Sequence, residues 1–375
     1  MQICMVTSAH FPPIEGMGKH IWNLSQFLID HGHDVQIITR GGMGKTRFYS
    51  KNGISIWRVP FLPVYPFHVH LQGIFVAPLV EKILTEVDIF HIHSPLSPVL
   101  STERLIMLTF HSTVPEDVSL TPMNSFYSLL MKLQSPVSYR LECEHLKNAS
   151  KVNVISPRTV EIIRRYPGCP KNIDVIWNGV NTCNYSPDWE LPRDKKIVLT
   201  VSRLAPGKGI EDLIHAATLV IQQDPSFHFL IAGDGVLKNS LHRKIHESNF
   251  GKNITLLGHI SDQASLLRLY REALLFVLPS YHEGIPTVLL EAMSCGCPVV
   301  STKVGGIPQF VEHGKNGILI SPNQPKRLAE IILSSLDNPV FLNNLGKQAR
   351  QTVEERFSWE IIGQRYLDQY INMIN

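Results

Sequence analysis

Short apolar runs alternate with amphipathic stretches along this chain, and the series restarts once. Residues 3–7 are largely apolar, as in a strand buried on both faces of a sheet. A loop over 10–19 follows, holding Pro12, Pro13, Gly16 and Gly18. Residues 20–31 then carry Ile21, Leu24, Phe27 and Leu28 at helical spacing, with Gly32 where a helix stops. Residues 35–39 read as the next strand. Strand, glycine-containing loop, helix and strand make one parallel βαβ unit. Further strands are expected at 54–59, 89–93, 105–110, 152–155 and 174–177. The connection from Ser94 to Arg104 is near the minimum for a parallel crossover, so the sheet is abbreviated there.

A polar stretch over 181–196, with Pro187 and Pro192, reads as a linker. A second series starts at Ile197, with strands expected at 198–202, 228–232, 254–257, 275–279, 298–301 and 317–320. The 375 residues are enough for two domains, each with its own core. The fold class is therefore α/β, two doubly wound parallel domains of similar size. Ligands of such sheets bind beyond the carboxyl ends of the strands. Two such edges facing each other are expected to form a cleft.

Composition excludes several classes. The net charge of +3 is too small for a strongly electrostatic nucleic-acid binder, so no nucleic-acid partner is expected. An apolar content of 44% is too high for a disordered chain. The six cysteines form no C-x-x-C pair and show no zinc spacing, and they read as buried reduced thiols. With no export-type N-terminus and no run of about 18 apolar residues, the chain is expected to be cytoplasmic. Gly44-Lys45-Thr46 is not a P-loop, because position 39 is Thr39 and not glycine. Gly16/Gly18 and Gly233/Gly235 fail the dinucleotide fingerprint, with Ile21 and Lys238 at the third glycine position. The pairs His31/His33, His68/His70 and His91/His93 each point both rings the same way on a strand. Among 17 histidines such pairs arise by chance, so no metal and no cofactor are expected.

Three segments in the second half carry chemistry. Ser202-Arg203-Leu204-Ala205-Pro206-Gly207-Lys208-Gly209 follows a strand and enters a helix expected over 211–222. Free N–H groups at a helix start, with two added cations, suit a diphosphate; the bland reading is a solvated turn. In Tyr281-His282-Glu283-Gly284-Ile285-Pro286-Thr287-Val288-Leu289-Leu290-Glu291-Ala292, Glu283 sits in a loop and Glu291 lies on the following helix. Pro286 suits the first helical turn, with Val288, Leu289 and Ala292 as the buried stripe. A carboxylate accepts two hydrogen bonds at once and so fits a vicinal diol. Surface charge is the plainer reading, although the apolar flanks argue against it, since a buried carboxylate needs a partner. Gly305-Gly306 and the turn at 313–317 imply only backbone compactness.

These segments together resemble the family-4 retaining glycosyltransferases, the glycogen-synthase-like group. Glu283 and Glu291 match the family's E-x7-E, SRLAPGKG its R-x4-K diphosphate segment, and IAGDG the next strand and turn. Asn178-Gly179-Val180 resembles the segment before the linker, with Asn181 where Asp is usual. FPPIEGMGKH resembles the N-terminal glycine-rich loop, with Glu15 at a glycine position, and LTFHST the segment carrying an active-site histidine. The resemblance spans nearly the whole chain. It implies a GT-B fold: an acceptor-side Rossmann-like domain at 1–187, completed by a return helix at 360–375, faces a nucleotide-sugar domain at 188–359 across a cleft.

The resemblance also implies roles. Arg203 and Lys208 hold the departing diphosphate in place of a metal. Glu291 takes the ribose hydroxyls, and Glu283 faces the donor sugar with backbone around Gly284, Ile285, Thr287 and Val288. Gly16 and Gly18 let backbone approach the donor phosphate, His111 contacts the sugar or leaving group, and backbone near Ile260 reads the base. UDP is favoured over GDP, and the product retains its anomeric configuration. The acceptor is a glycan or a lipid-linked glycan. Residues 61–74 and 123–133 are apolar and aromatic; they read either as core plus a proline-rich loop or as a surface for peripheral membrane contact. The alternative function is a non-catalytic nucleotide-sugar or glycan-binding protein on the same fold. An epimerase or phosphorylase explains SRLAPGKG less well.

Overall fold

The computed structural model describes residues 1–11, 16–82, 84–120 and 126–375. Glu15 and the start of the 123–133 segment lie outside the described residues. The chain forms two compact units, Met1–Gly179 joined by Trp359–Asn375, and Val180–Ser358.

The first unit runs β1 (Gln2–Val6), α1 (Gly16–Asp30), β2 (Asp34–Arg40), β3 (Arg47–Lys51), β4 (Ile54–Val59), α2 (His68–Lys82), β5 (Ile89–Ser94), β6 (Leu105–Phe110), α3 (Val114–Leu120), α4 (Phe126–Asn148), β7 (Lys151–Val154), α5 (Pro157–Ile163) and β8 (Asp174–Val175). These strands form one sheet in the order β3-β4-β2-β1-β5-β6-β7-β8. Every neighbouring pair is parallel except β3 with β4. Strand β3 was not expected from the sequence. Its residues, RFYSK, are mostly exposed and polar, which suits an edge strand and hides it from an apolar-run search. β5 passes to its parallel neighbour β6 with no helix between them, as the short connection required.

Alternation along the strands sorts the core onto two faces. Ile3, Met5, Ile37, Ile56, Ile89 and Met107 pack in one cluster with α1; Cys4, Val6, Ile38, Phe90, Ile92 and Leu108 pack in another with α2 and α4. His91 and His93 share the parity of Ile89, so the sheet delivers both rings to the α1 face.

The second unit runs β9 (Asp194–Val201), α6 (Ile210–Gln223), β10 (His228–Ala232), α7 (Lys238–Glu247), β11 (Ile254–Gly258), α8 (Gln263–Glu272), β12 (Ala273–Leu278), α9 (Thr287–Ser294), β13 (Val299–Thr302), β14 (Ile318–Ile320), α10 (Pro325–Ser334) and α11 (Pro339–Arg356). Its sheet is wholly parallel, in the order β11-β10-β9-β12-β13-β14. The unit begins at Val180, not at 188. Residues expected as linker are tied into it: Arg350 donates to the carbonyls of Thr182, Tyr185 and Ser294, and Arg193 to those of Tyr270, Arg271, Ala273 and Cys295. The cysteines are all free, but not all buried: Cys183 is exposed and Cys169 half-buried.

The last helix, α12 (Trp359–Ile374), belongs to the first unit, where Ile362, Tyr366 and Tyr370 pack in the α1 core. It lies close to α1 at Gly363, where a Cβ would stand 2.4 Å from the Phe27 ring. Gly363→Ala is expected to destabilise the protein by about 1–3 kcal/mol, the usual range for an overpacked core. Urea unfolding should show a lower midpoint at unchanged slope; an unshifted midpoint would contradict this packing.

Candidate active site

In the second unit, five loops converge beyond the carboxyl ends of β9 to β13. The loop after β9 is tied to the one after β10, since the Ser202 N–H donates to Ala232 O and the Leu204 N–H to Asp234 O. It ends at Gly209, which caps α6 at φ +66°. A Cβ there would stand 2.0 Å from the Pro279 carbonyl oxygen, so only glycine allows the loop to press on the segment after β12. The Tyr281 N–H donates to Gly207 O at 2.7 Å, closing the contact.

This backbone packing sets the central ion pair. Lys208 Nζ lies 2.8 Å from Glu283 Oε1, and the Ser280 hydroxyl donates to the same oxygen at 2.6 Å. The Glu283 side chain is only 8% exposed. A carboxylate so buried depends on its cation, because stripping one partner leaves an uncompensated charge. The loop is also gripped from the far side. Gly305, at φ +55°, is so close that a Cβ would stand 1.6 Å from Glu283 O, and the Gly306 N–H donates to Gly284 O at 3.1 Å. The Gly305-Gly306 pair, read from sequence as mere compactness, thus shapes the site.

The other expected residues fall as follows. Arg203 is exposed and makes no ion pair among the described residues. Ile260 is half-buried just past β11, Gly284 exposed and Ile285 buried. Pro286 is the residue before α9 and not within its first turn; Thr287 opens the helix. Val288 is half-buried, where the sequence placed it in the buried stripe; Leu289 and Ala292 of that stripe are buried, as are Leu290 and Glu291. Glu291 is buried and accepts the Tyr270 hydroxyl at 3.0 Å, with the Tyr185 hydroxyl also bonded to it. Burial, then the Glu291 charge, pushes the Tyr270 phenol well above its ordinary range. The two tyrosines supply the partner a buried carboxylate needs; neither carried a sequence signal.

In the first unit, Gly16 is the first residue of α1, and a Cβ there would meet nothing within 4 Å; Gly18 is buried. His111 follows β6 and is joined by three more histidines on the α1 face. His93 Nδ1 is 3.1 Å from His111 Nε2, and the rings of His91 and His93 are 4.0 Å apart. His20 of α1 lies edge-on to His111 at 4.8 Å and to Trp359 of α12 at 5.1 Å. Burial pushes His20 down to about 4, the nearby Asn178 side chain only partly opposing it. Burial first, then the neighbouring rings, hold His91, His93 and His111 well below the ordinary histidine value. Among the described residues, His20, His93 and His111 are the one group whose nitrogens, within 4.8 Å of one another, could hold a metal ion. Two of those nitrogens face each other as a hydrogen-bonded pair.

In a wholly parallel α/β sheet ligands bind outside the carboxyl ends of the strands, where the Lys208–Glu283 pair lies. Similarity to known proteins gives the class. The family model described as Glycosyltransferase Family 4 matches residues 14–183, and that described as Glycosyl transferases group 1 matches residues 183–352. An uncharacterized glycosyltransferase of Methanocaldococcus jannaschii is 26% identical over 99% of this chain and 98% of its own length. A human phosphatidylinositol N-acetylglucosaminyltransferase component is 27% identical over 97% of this chain and 74% of its own length. The solved sucrose-phosphate synthase of Thermosynechococcus elongatus superposes with a TM-score of 0.81 at 22% identity, covering 100% of this chain and 99% of that one. The chain belongs to the family-4 glycosyltransferases, and its fold is GT-B.

The histidine cluster has a consequence for stability. Each of these imidazoles binds a proton more readily in the unfolded chain, where its pKa is near 6.5. For His20 the contribution is therefore complete above that pH and is lost as pH falls toward 4; for His91, His93 and His111 it is lost in the same direction. Urea unfolding should show a lower stability at pH 5 than at pH 7.5, with about 2 kcal/mol from His20 alone. A profile flat from 7.5 to 5 would contradict the burial of this cluster.

Proposed function

We propose that this glycosyltransferase moves a sugar from a UDP-sugar, with retention of configuration and without a metal, to a lipid-linked or glycan acceptor. The observation that carries this is the Lys208–Glu283 pair, held by backbone packing at the carboxyl edge of the sheet. Departure of a nucleoside diphosphate builds negative charge on its β-phosphate, and preorganised cations lower that barrier. Lys208 and the exposed Arg203 supply the cations. Glu283 and the backbone from Gly284 to Val288 face the sugar, Glu291 takes the ribose, and Ile260 flanks the base. His111 and the start of α1 at Gly16 and Gly18 act on the donor from their own unit. The N-acetylglucosaminyl and phosphatidylinositol chemistry in the human relative's name supports an N-acetylhexosamine donor and a lipid acceptor.

The protein would be incubated with UDP-N-acetylglucosamine, UDP-glucose and GDP-mannose, and released nucleoside diphosphate measured. The expected result is turnover of a UDP-sugar, reduced on the order of 10²–10³ in Lys208→Ala. Unfolding curves would verify that the variant is folded. Tight nucleotide binding without turnover on any acceptor would favour the binding-protein alternative.

A lipid acceptor agrees with the exposed residues of α2 and of the loop before it. His68, Val69, Gln72, Val76, Leu79 and Val80 are its buried side, while Val64, Tyr65, Phe67 and Ile74 are each at least half exposed. Phe61, by contrast, is half-buried with the Arg40 guanidinium 5.4 Å above its ring. Leu129 and Leu133 are exposed on α4. Among the described residues, no helix is long and apolar enough to cross a membrane. Exposed apolar side chains on the loop before α2 and at Ile74 within it favour contact with a lipid surface. The protein should co-sediment with vesicles containing anionic lipid, and Phe67→Ser with Ile74→Ser should release it. Undiminished sedimentation of the double variant would overturn this assignment.

A further inference from the structure

The histidine cluster fixes more than burial. His93 offers two ring nitrogens to two different neighbours. Nε2 lies 3.5 Å from Met5 Sδ, and Nδ1 lies 3.1 Å from His111 Nε2. A thioether sulfur accepts a hydrogen bond and never donates one. His93 Nε2 therefore carries its proton, because a bare Nε2 would set one lone pair against another at a fully buried ring. His93 is neutral, since burial and the rings around it oppose a second proton. With Nε2 protonated, Nδ1 is bare, and it accepts the proton on His111 Nε2. His111 is neutral as well, held so by burial and by His20 and His91. Its own Nδ1 is then left without a proton.

That nitrogen is the outward one. His111 is half-buried, whereas His93 is fully buried, and among the described residues His111 Nδ1 has no hydrogen-bond partner. His91 shows why the Met5 contact is decisive. Its Nδ1 meets the Tyr370 hydroxyl at 2.6 Å and its Nε2 the Thr109 hydroxyl at 2.7 Å, and a hydroxyl can give or take. Nothing there selects a tautomer. At His93 the sulfur does.

We propose that His93 is a positioning residue, which takes the Nε2 proton of His111 in a hydrogen bond so that His111 presents a bare Nδ1 as acceptor for a hydroxyl of the bound sugar. The role of the sugar rests on the proposed function; the tautomer does not. An imidazole in this state cannot donate a proton or add positive charge at the leaving group. It orients a hydroxyl group and discriminates against a sugar lacking it.

The test is the ring-nitrogen spectrum of the full chain labelled with 15N-histidine at neutral pH, His111 being assigned by signals lost in His111→Gln. The expected result is a protonated Nε2 and an unprotonated Nδ1 on His111. In His93→Phe, which cannot accept, that bias should vanish and kcat should fall at least tenfold. His93→Asn, whose side-chain oxygen can stand near the lost Nδ1, should restore both. A His111 protonated on Nδ1, or an unchanged His111 signal in folded His93→Phe, overturns the proposal. Should His93→Phe fail to fold, the wild-type spectrum alone decides. A wild-type protein that turns over no donor overturns the proposed function and leaves the tautomer assignment standing.

Discussion

The candidate site of the second unit depends on one half-buried charge pair, Lys208 with Glu283. Two long side chains on different loops meet only if the loops are fixed first. Here carbonyl oxygens do the fixing. The oxygens of Pro279 and Glu283 occupy space where a side chain at Gly209 or Gly305 would begin. The glycines bring backbone against backbone, the backbone sets the carboxylate, and the carboxylate sets the lysine. Such preorganisation is what the proposed role of Lys208 at a leaving group requires, since it leaves little to reorganise during the reaction itself.

The two units contribute different chemistry. In the second, Lys208 and Arg203 bring positive charge and Glu283 and Glu291 bring acceptors. In the first, four imidazoles are gathered on one sheet face and driven toward their uncharged form by burial, which the neighbouring rings reinforce at His91, His93 and His111. A neutral ring is a directional group, so its value lies in which nitrogen bears the proton. The sulfur of Met5, on the first strand, sets that choice two residues away in the hydrogen-bond chain. The return helix α12 closes the same cluster with Trp359, Tyr366 and Tyr370.

Much of this was legible in the sequence. Buried parallel strands are apolar runs, so β1, β2 and β10 stand out, and a glycine-bearing loop that must enter a helix betrays itself by composition. The E-x7-E spacing was legible because both carboxylates lie near one helix start. The edge strand β3 was not, because its residues answer to solvent and not to a core. The roles of Tyr185 and Tyr270 were not, because they reach Glu291 from distant parts of the chain. The histidine cluster was half visible. The two-residue spacing of His91 and His93 gave their common direction, while the arrival of His20 and His111 required the strand order. The second unit's start at Val180 was hidden by the polar composition of 181–187, whose carbonyls, and not its side chains, bind it to Arg350.

The placement of α12 bears on how the molecule is made. The first unit needs both the opening 179 residues and the stretch from Trp359 onward, whereas Val180–Ser358 is continuous. Domains generally fold as units while the chain is still emerging from the ribosome. The later-synthesised unit can then finish first, and the earlier one must wait, with its α1 core lacking Ile362, Tyr366 and Tyr370, until α12 arrives. Truncation at the C-terminus would thus wound the half of the protein that was translated first.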